Sequence, residues 1–182
     1  MPAIDGKRVA FLATDGVEQV ELDKPWQAVT DAGGRPELVS LEAGEIQAFN
    51  HLDKGDTKRV DTAIDDASAD SYDALVLPGG VANGDFVRAD DRAVRFVKQF
   101  AERGKPIAVI CHGGWVLAEA DVVRGKTMTS WPSLKTDLRN AGATWVDQEV
   151  VTDNGLVSSR NPGDLDAFCA KTVEEIAEGV HV

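Results

Sequence analysis

Two kinds of apolar pattern alternate along the chain. Arg8–Ala13 (RVAFLA), Ala74–Leu77 (ALVL) and Ile107–Ile110 (IAVI) are nearly continuous apolar runs, as expected of strands covered on both faces. Between them the apolar residues recur every three or four positions, the spacing of an amphipathic helix. One such stretch includes Trp26, Ala28 and Val29 and stops at Gly33-Gly34. A second runs from Asp90 to Arg103 with Val94, Val97 and Phe100 on one face and Gly104 as its stop. Glu37–Leu41 reads as a further strand, and Gly44 to Val60 as a polar segment forming a small hairpin outside the main sheet.

The second half keeps the alternation. A helix over Gly113–Val123 follows Cys111-His112 directly, then a short strand at Lys126–Thr129 and a helix from Ser133 to Ala141. Thr144–Val146 reads as a strand. Val150–Val151 and Leu156–Ser158 flank Asp153-Asn154-Gly155, a hairpin turn signal. A last helix covers Asp164–Glu178. Without repeats or a linker, the 182 residues predict a single domain, 1–182, with a flavodoxin-like doubly wound α/β sandwich: a mostly parallel sheet with helices on both faces. In such a sheet the crevice lies at the carboxyl ends of the strands, where the loops Thr14–Glu18, Pro78–Asp85 and Cys111–Gly114 converge.

Composition narrows the function classes. The net charge of −12, from 31 acidic and 19 basic residues, repels phosphate backbones, so no nucleic-acid binding is expected. Apolar runs are too short for a membrane helix, and the opening residues carry no signal-peptide pattern, so a cytoplasmic protein is expected. Two cysteines outside any C-x-x-C pair argue against a disulfide framework and against zinc. No metal site or cofactor is expected.

The strongest chemical signal is Cys111. A strand, one nucleophile and the small residues Gly113 and Gly114 opening a helix reproduce the tight turn of a nucleophile elbow. A thiol facing a helix N-terminus is expected to have a lowered pKa. Cys169, mid-helix beside Phe168, is expected to be structural. His112 is a candidate base, although neighbours on a turn rarely face each other, and its N–H is equally suited to an oxyanion. His51 and His181 are expected in solvent. A glutamine-amidotransferase triad needs a His and Glu well downstream of the cysteine, and none is available before the C-terminal end of the chain, which argues against that reading. The first loop carries Asp15, Glu18 and Glu21 where a nucleotide binder would carry glycines, which argues against phosphate. Any of the three acids could serve the thiol as acid or base.

Taken together and in order, these segments resemble the ThiJ/PfpI superfamily, in its PfpI-type branch of intracellular proteases and general stress proteins. The resemblance rests on Thr14–Glu21, Asp73–Gly80, Gly104–Pro106, Ile110–Gly113, Val123–Lys126, Asn140–Ala143 and Ser159–Leu165. It implies Cys111 as nucleophile, Glu18 as the carboxylate beside the sulfur, and the N–H groups of Gly80 and His112 as the oxyanion site. It implies no cofactor, and a homodimer or higher oligomer of dimers with the site near a subunit interface. Where protease-like members carry an acid reaching the neighbouring subunit's His, this chain has Gly84, with Asp85 one place later. After the His the family usually has Gly-Pro-Gln-like residues, whereas Gly114-Trp115 follows here, and Trp115 could narrow the pocket, alter the interface or pack in the core.

Three functions follow from the resemblance. The first is a glyoxalase- or deglycase-like stress-protection enzyme acting on methylglyoxal or early glycation adducts of proteins through a Cys111 thiolate with Glu18 as acid/base. The second is a cysteine peptidase using Cys111, His112 and Asp85 of a partner copy. The third is a redox sensor in which Cys111 is oxidised without turnover.

Overall fold

The computed structural model describes residues 1–182. In chain order the elements are β1 (Arg8–Leu12), β2 (Val17–Glu18), α1 (Gln19–Asp31), β3 (Arg35–Ser40), β4 (Glu45–Asn50), β5 (Asp53–Arg59), β6 (Thr62–Ala63) and β7 (Ala74–Leu77). They continue with α2 (Val81–Ala89), α3 (Asp91–Glu102), β8 (Ile107–Ile110), α4 (Gly114–Glu119), β9 (Thr127–Met128) and α5 (Lys135–Asn140). The last are β10 (Thr144–Trp145), β11 (Val151–Asp153), β12 (Leu156–Ser159) and α6 (Leu165–Glu178).

The main sheet has seven strands in the order β11-β12-β8-β7-β1-β3-β6, and every pair is parallel except β11 with β12. This is the doubly wound arrangement the sequence predicts, with the strand order reversing at β1. Alternation along each strand feeds two cores. Ala10, Leu12, Leu75, Leu77, Ile107 and Val109 face a layer closed by Phe96, Phe100 and Leu117. Val9, Phe11, Ala74, Val76, Ala108 and Ile110 face Leu22, Val29, Phe168 and Val173. Both faces of the sheet are therefore dry, which is why these strands read as unbroken apolar runs. The segment from Gly44 does form a hairpin, β4–β5, in a separate sheet with β2. No helix is long and apolar enough to cross a membrane.

Three elements differ from expectation. Helix α2 begins directly after Gly80, within a stretch expected to be loop. Asn83 and Gly84, usually helix breakers, are buried there for packing reasons given below. The helix expected over Gly113–Val123 is a 3₁₀ turn at Cys111–Gly113 followed by six α-helical residues. His181 is not in solvent: its side chain is 20% exposed, and its backbone N–H donates to the Gly104 carbonyl.

Candidate active site

Cys111 directly follows β8 with φ +61°, a left-handed conformation rare for a residue with a side chain. The strain turns the thiol out of the strand into the crevice, as a nucleophile elbow requires. Two backbone N–H groups, of Gly80 and His112, point at the sulfur. The sulfur therefore occupies the nest that the resemblance assigns to an oxyanion.

The loop after β7 is shaped by the lack of side chains. A Cβ at Gly79 would lie 2.3 Å from Glu21 Oε1 and 2.6 Å from Cys111 Cβ, so only glycine lets the acid and the thiol approach from opposite sides. Gly80 (φ +95°) is pressed as closely against the Gly16 carbonyl. Asn83 holds the loop from beneath. Its Oδ1 accepts from the Thr14 N–H at 2.8 Å, and its amide donates to the carbonyls of Pro78 and Gly79. Nothing in the sequence pattern singled out Asn83, because its role depends on contacts between two loops.

The structure separates the three acids of the first loop. Glu21, in the first turn of α1, is fully buried. Its Oε1 accepts from the Gly79 N–H at 3.0 Å, and its carboxyl also interacts with the Cys111 thiol. Glu18 lies just outside the helix and accepts from the His51 N–H at 3.1 Å. It lines the same cavity, but the carboxyl against the sulfur is that of Glu21, not Glu18. Asp15 turns away and accepts from the Gln47 N–H. The pattern contained a usable signal. Glu21 shares the inward face of α1 with Leu22, Pro25, Ala28 and Val29, and an acid on a buried stripe is the informative exception.

Electrostatics also differ from expectation. Burial, reinforced by the negative charge of Glu18, pushes the Glu21 carboxyl up to about 8. Burial and the nearby Glu21 carboxylate push the Cys111 thiol up as well, opposed by the Gly80 and His112 N–H groups. The expected lowering by a helix dipole fails because α4 is only six residues long, and dipole effects from so short a helix are small beside desolvation. Cys111 and Glu21 thus form a coupled pair in which the charge on either group disfavours charge on the other.

His112 does face its neighbour. Its Nδ1 lies 3.1 Å from Cys111 Sγ, because the left-handed turn at Cys111 folds the ring back over the sulfur. The ring stacks on Trp131 (centroids 5.5 Å apart) and meets Trp115 edge-on at 5.2 Å. Burial lowers its pKa and so favours the neutral ring. Trp115 is half-buried, lines the cavity and donates from its indole N–H to Asp137. Gly84 packs under the His112 carbonyl, 2.6 Å from where a Cβ would stand, which leaves no space for an acidic side chain. Asp85 is exposed at the cavity rim. Cys169 is buried as expected, and desolvation raises it to about 11.

These groups open into a cavity of about 620 Å³. Phe49, Leu52, Val81, Phe86 and Trp131 form its apolar walls, Glu18, Glu21 and Asp85 are its acids, and no Lys or Arg lines it.

The chain has known relatives. The model of the DJ-1/PfpI family matches residues 7–175. YraA of Bacillus subtilis, provisionally named a cysteine protease, is 43% identical over 162 residues, 89% of this chain and 94% of YraA. The deglycase TK1284 of Thermococcus kodakarensis is 41% identical over 167 residues, 92% of this chain and 98% of its own. The crystal structure of Drosophila melanogaster DJ-1beta superposes with a TM-score of 0.83 at 27% identity, covering 95% of this chain and 96% of that one. With a strained cysteine turn, a buried acid beside it and a match over nearly its whole length, the chain belongs to the DJ-1/PfpI family.

Proposed function

We propose that the protein is a cysteine-dependent enzyme acting on reactive carbonyls, methylglyoxal or early glycation adducts, with Cys111 as nucleophile and Glu21 as acid/base. The observation that carries this reading is the Glu21–Cys111 pair: a thiol and a carboxyl held together by a glycine that admits no side chain. A relative named a deglycase at 41% identity supports the substrate class. So does a cavity without cationic side chains, which suits neutral dicarbonyls and the modified cationic side chains of glycated proteins.

The steps balance without an external oxidant. When one proton is shared by the pair, the sulfur adds to the aldehyde carbon of methylglyoxal, and the shared proton passes from Glu21 to the new oxygen, giving a hemithioacetal. The Gly80 and His112 N–H groups stabilise negative charge as it moves from sulfur to oxygen. The Glu21 carboxylate then takes the C1 proton and returns it to C2, while the hydroxyl proton on the C1 oxygen passes to the C2 oxygen, converting the hemithioacetal to a lactoyl thioester. Water cleaves the thioester, restoring the thiol and releasing lactate. The net change is the addition of one water. Glu18, at the mouth of the cavity, raises the proton affinity of the pair rather than touching the reacting carbon. Methylglyoxal conversion to lactate by the wild-type chain and its absence in Cys111→Ser test the reading, and equal lactate from both would refute it.

A second reading is favoured by one contact, that of Cys111 Sγ with His112 Nδ1 at 3.1 Å, the pairing a cysteine peptidase uses. Within this chain the His112 ring is held by Trp131 and Trp115 rather than by a carboxylate. A peptidase would therefore draw its acid from Asp85 of a second copy in a homodimer. Peptide hydrolysis that rises with oligomerisation and is lost in Asp85→Asn would support that assembly.

A further inference from the structure

The C-terminal end of α6 gathers a second set of functional side chains, remote from Cys111. Glu175 and Glu178 lie one turn apart and so share a helix face. Gly179 (φ +84°) ends the helix in a conformation open to glycine and turns the chain back. The His181 N–H then donates to the Gly104 carbonyl at 2.8 Å. The imidazole rests on Gly155 at the tip of the β11–β12 hairpin, where a Cβ would come 3.0 Å from the ring. Both anchors lie where β8 begins, since the Ile107 N–H donates to the Gly155 carbonyl. Cys111 follows the other end of that strand.

Held this way, His181 Nε2 is 3.1 Å from Glu175 Oε2 and 3.9 Å from Glu178 Oε2. One donor atom from each of the three residues falls within 4.8 Å of the others. The Glu175 side chain is only 8% exposed. Its Oε2 and the His181 Nε2 stand in ion-pair contact, yet both are buried and neither makes a hydrogen bond. A buried, unpaired polar atom costs about 1–3 kcal/mol, and two that converge on one point call for a cation between them.

We propose that Glu175, Glu178 and His181 form a binding site for a divalent transition metal, with Zn²⁺ the best match. One imidazole and two carboxylates are the N/O donor set that Zn²⁺ accepts, whereas Mg²⁺ and Ca²⁺ favour all-oxygen sites. Donors about 2.0–2.1 Å from a tetrahedral metal are about 3.3 Å apart, between the two observed separations. The fourth position is left to water. Such an ion clips the C-terminal tail to α6, which already packs beside β8 and the hairpin, so binding stabilises the fold.

The test uses the full chain carrying Cys111→Ser, which removes the competing active-site thiol. Metal-stripped protein is titrated with Zn²⁺ against a chromophoric chelator, and its Tm is followed. The proposal expects one Zn²⁺ per chain with a rise in Tm, both lost in His181→Ala. Glu178 is half-exposed, so Glu178→Gln keeps the fold and should weaken binding by about tenfold or more. No uptake by the stripped chain would overturn the proposal. So would uptake unchanged in both variants, which would place the metal elsewhere.

Discussion

Replacing Glu21 with Gln removes a charge but keeps the shape, and its effect on stability can be worked from the structure. The carboxyl rises from 4.5 to about 8 on folding, so the native state holds its proton more tightly than the unfolded chain. Its stabilising contribution is therefore complete below pH 4.5 and lost progressively as pH climbs to about 8. At 1.36 kcal/mol per tenfold change in proton affinity, the loss is on the order of 5 kcal/mol at most. A Gln carbonyl can still accept from the Gly79 N–H, and its amide meets the sulfur, so the variant should fold. Denaturant unfolding of both proteins at intervals from pH 5 to 9 reports on Glu21 and the groups coupled to it, Cys111 and Glu18, because the remaining titrations cancel in the difference. The stability of Glu21→Gln relative to wild type should increase steadily with pH and level off above pH 8. A difference that stays flat would show that Glu21 is not a buried, proton-holding carboxyl, and the coupled pair would have to be abandoned.

Three further predictions concern the surroundings of the pair. Glu18→Gln removes a negative charge that raises both Glu21 and Cys111, so the pH profile of Cys111 alkylation should move to lower pH; a move to higher pH would contradict the electrostatics. Gly79→Ala forces a methyl between Glu21 and Cys111 and should cost about 1–3 kcal/mol of stability, read by thermal unfolding, together with a loss of thiol reactivity. Asn83→Ala leaves the buried Thr14 N–H unpaired and should cost about 1–3 kcal/mol. Turnover should fall as well, since the Pro78–Gly80 loop loses its support.

The fold was largely legible because a parallel sheet buried on both faces writes itself as unbroken apolar runs. Ala74–Leu77 and Ile107–Ile110 could be bounded to the residue, each ending at Pro-Gly-Gly or at Cys111. Helix α2 was not, because Asn83 and Gly84 read locally as breakers and their presence answers to Thr14 and His112. The nucleophile was legible from its turn. The acid beside it was legible only through its place on the buried stripe of α1, since Glu18 and Glu21 are one helical turn apart and the start of α1 at Gln19 decides which points inward. The raised proton affinity of the thiol was not legible for a related reason: local sequence shows the helix N-terminus but not the desolvation, which depends on the whole crevice. The distant contact of His181 with Glu175 depended on a tail whose path no pattern revealed.

In the proposed mechanism Glu21, rather than Glu18, moves the proton for a Cys111-bound substrate. Steady-state lactate formation from methylglyoxal by wild type, Glu21→Gln and Glu18→Gln tests it most directly. Glu21→Gln should lose about 100-fold or more in kcat, as removal of a general acid/base does, while Glu18→Gln should keep most of its kcat with a profile shifted to lower pH. Full activity in Glu21→Gln with loss in Glu18→Gln would contradict it and return the role to the acid at the mouth of the cavity.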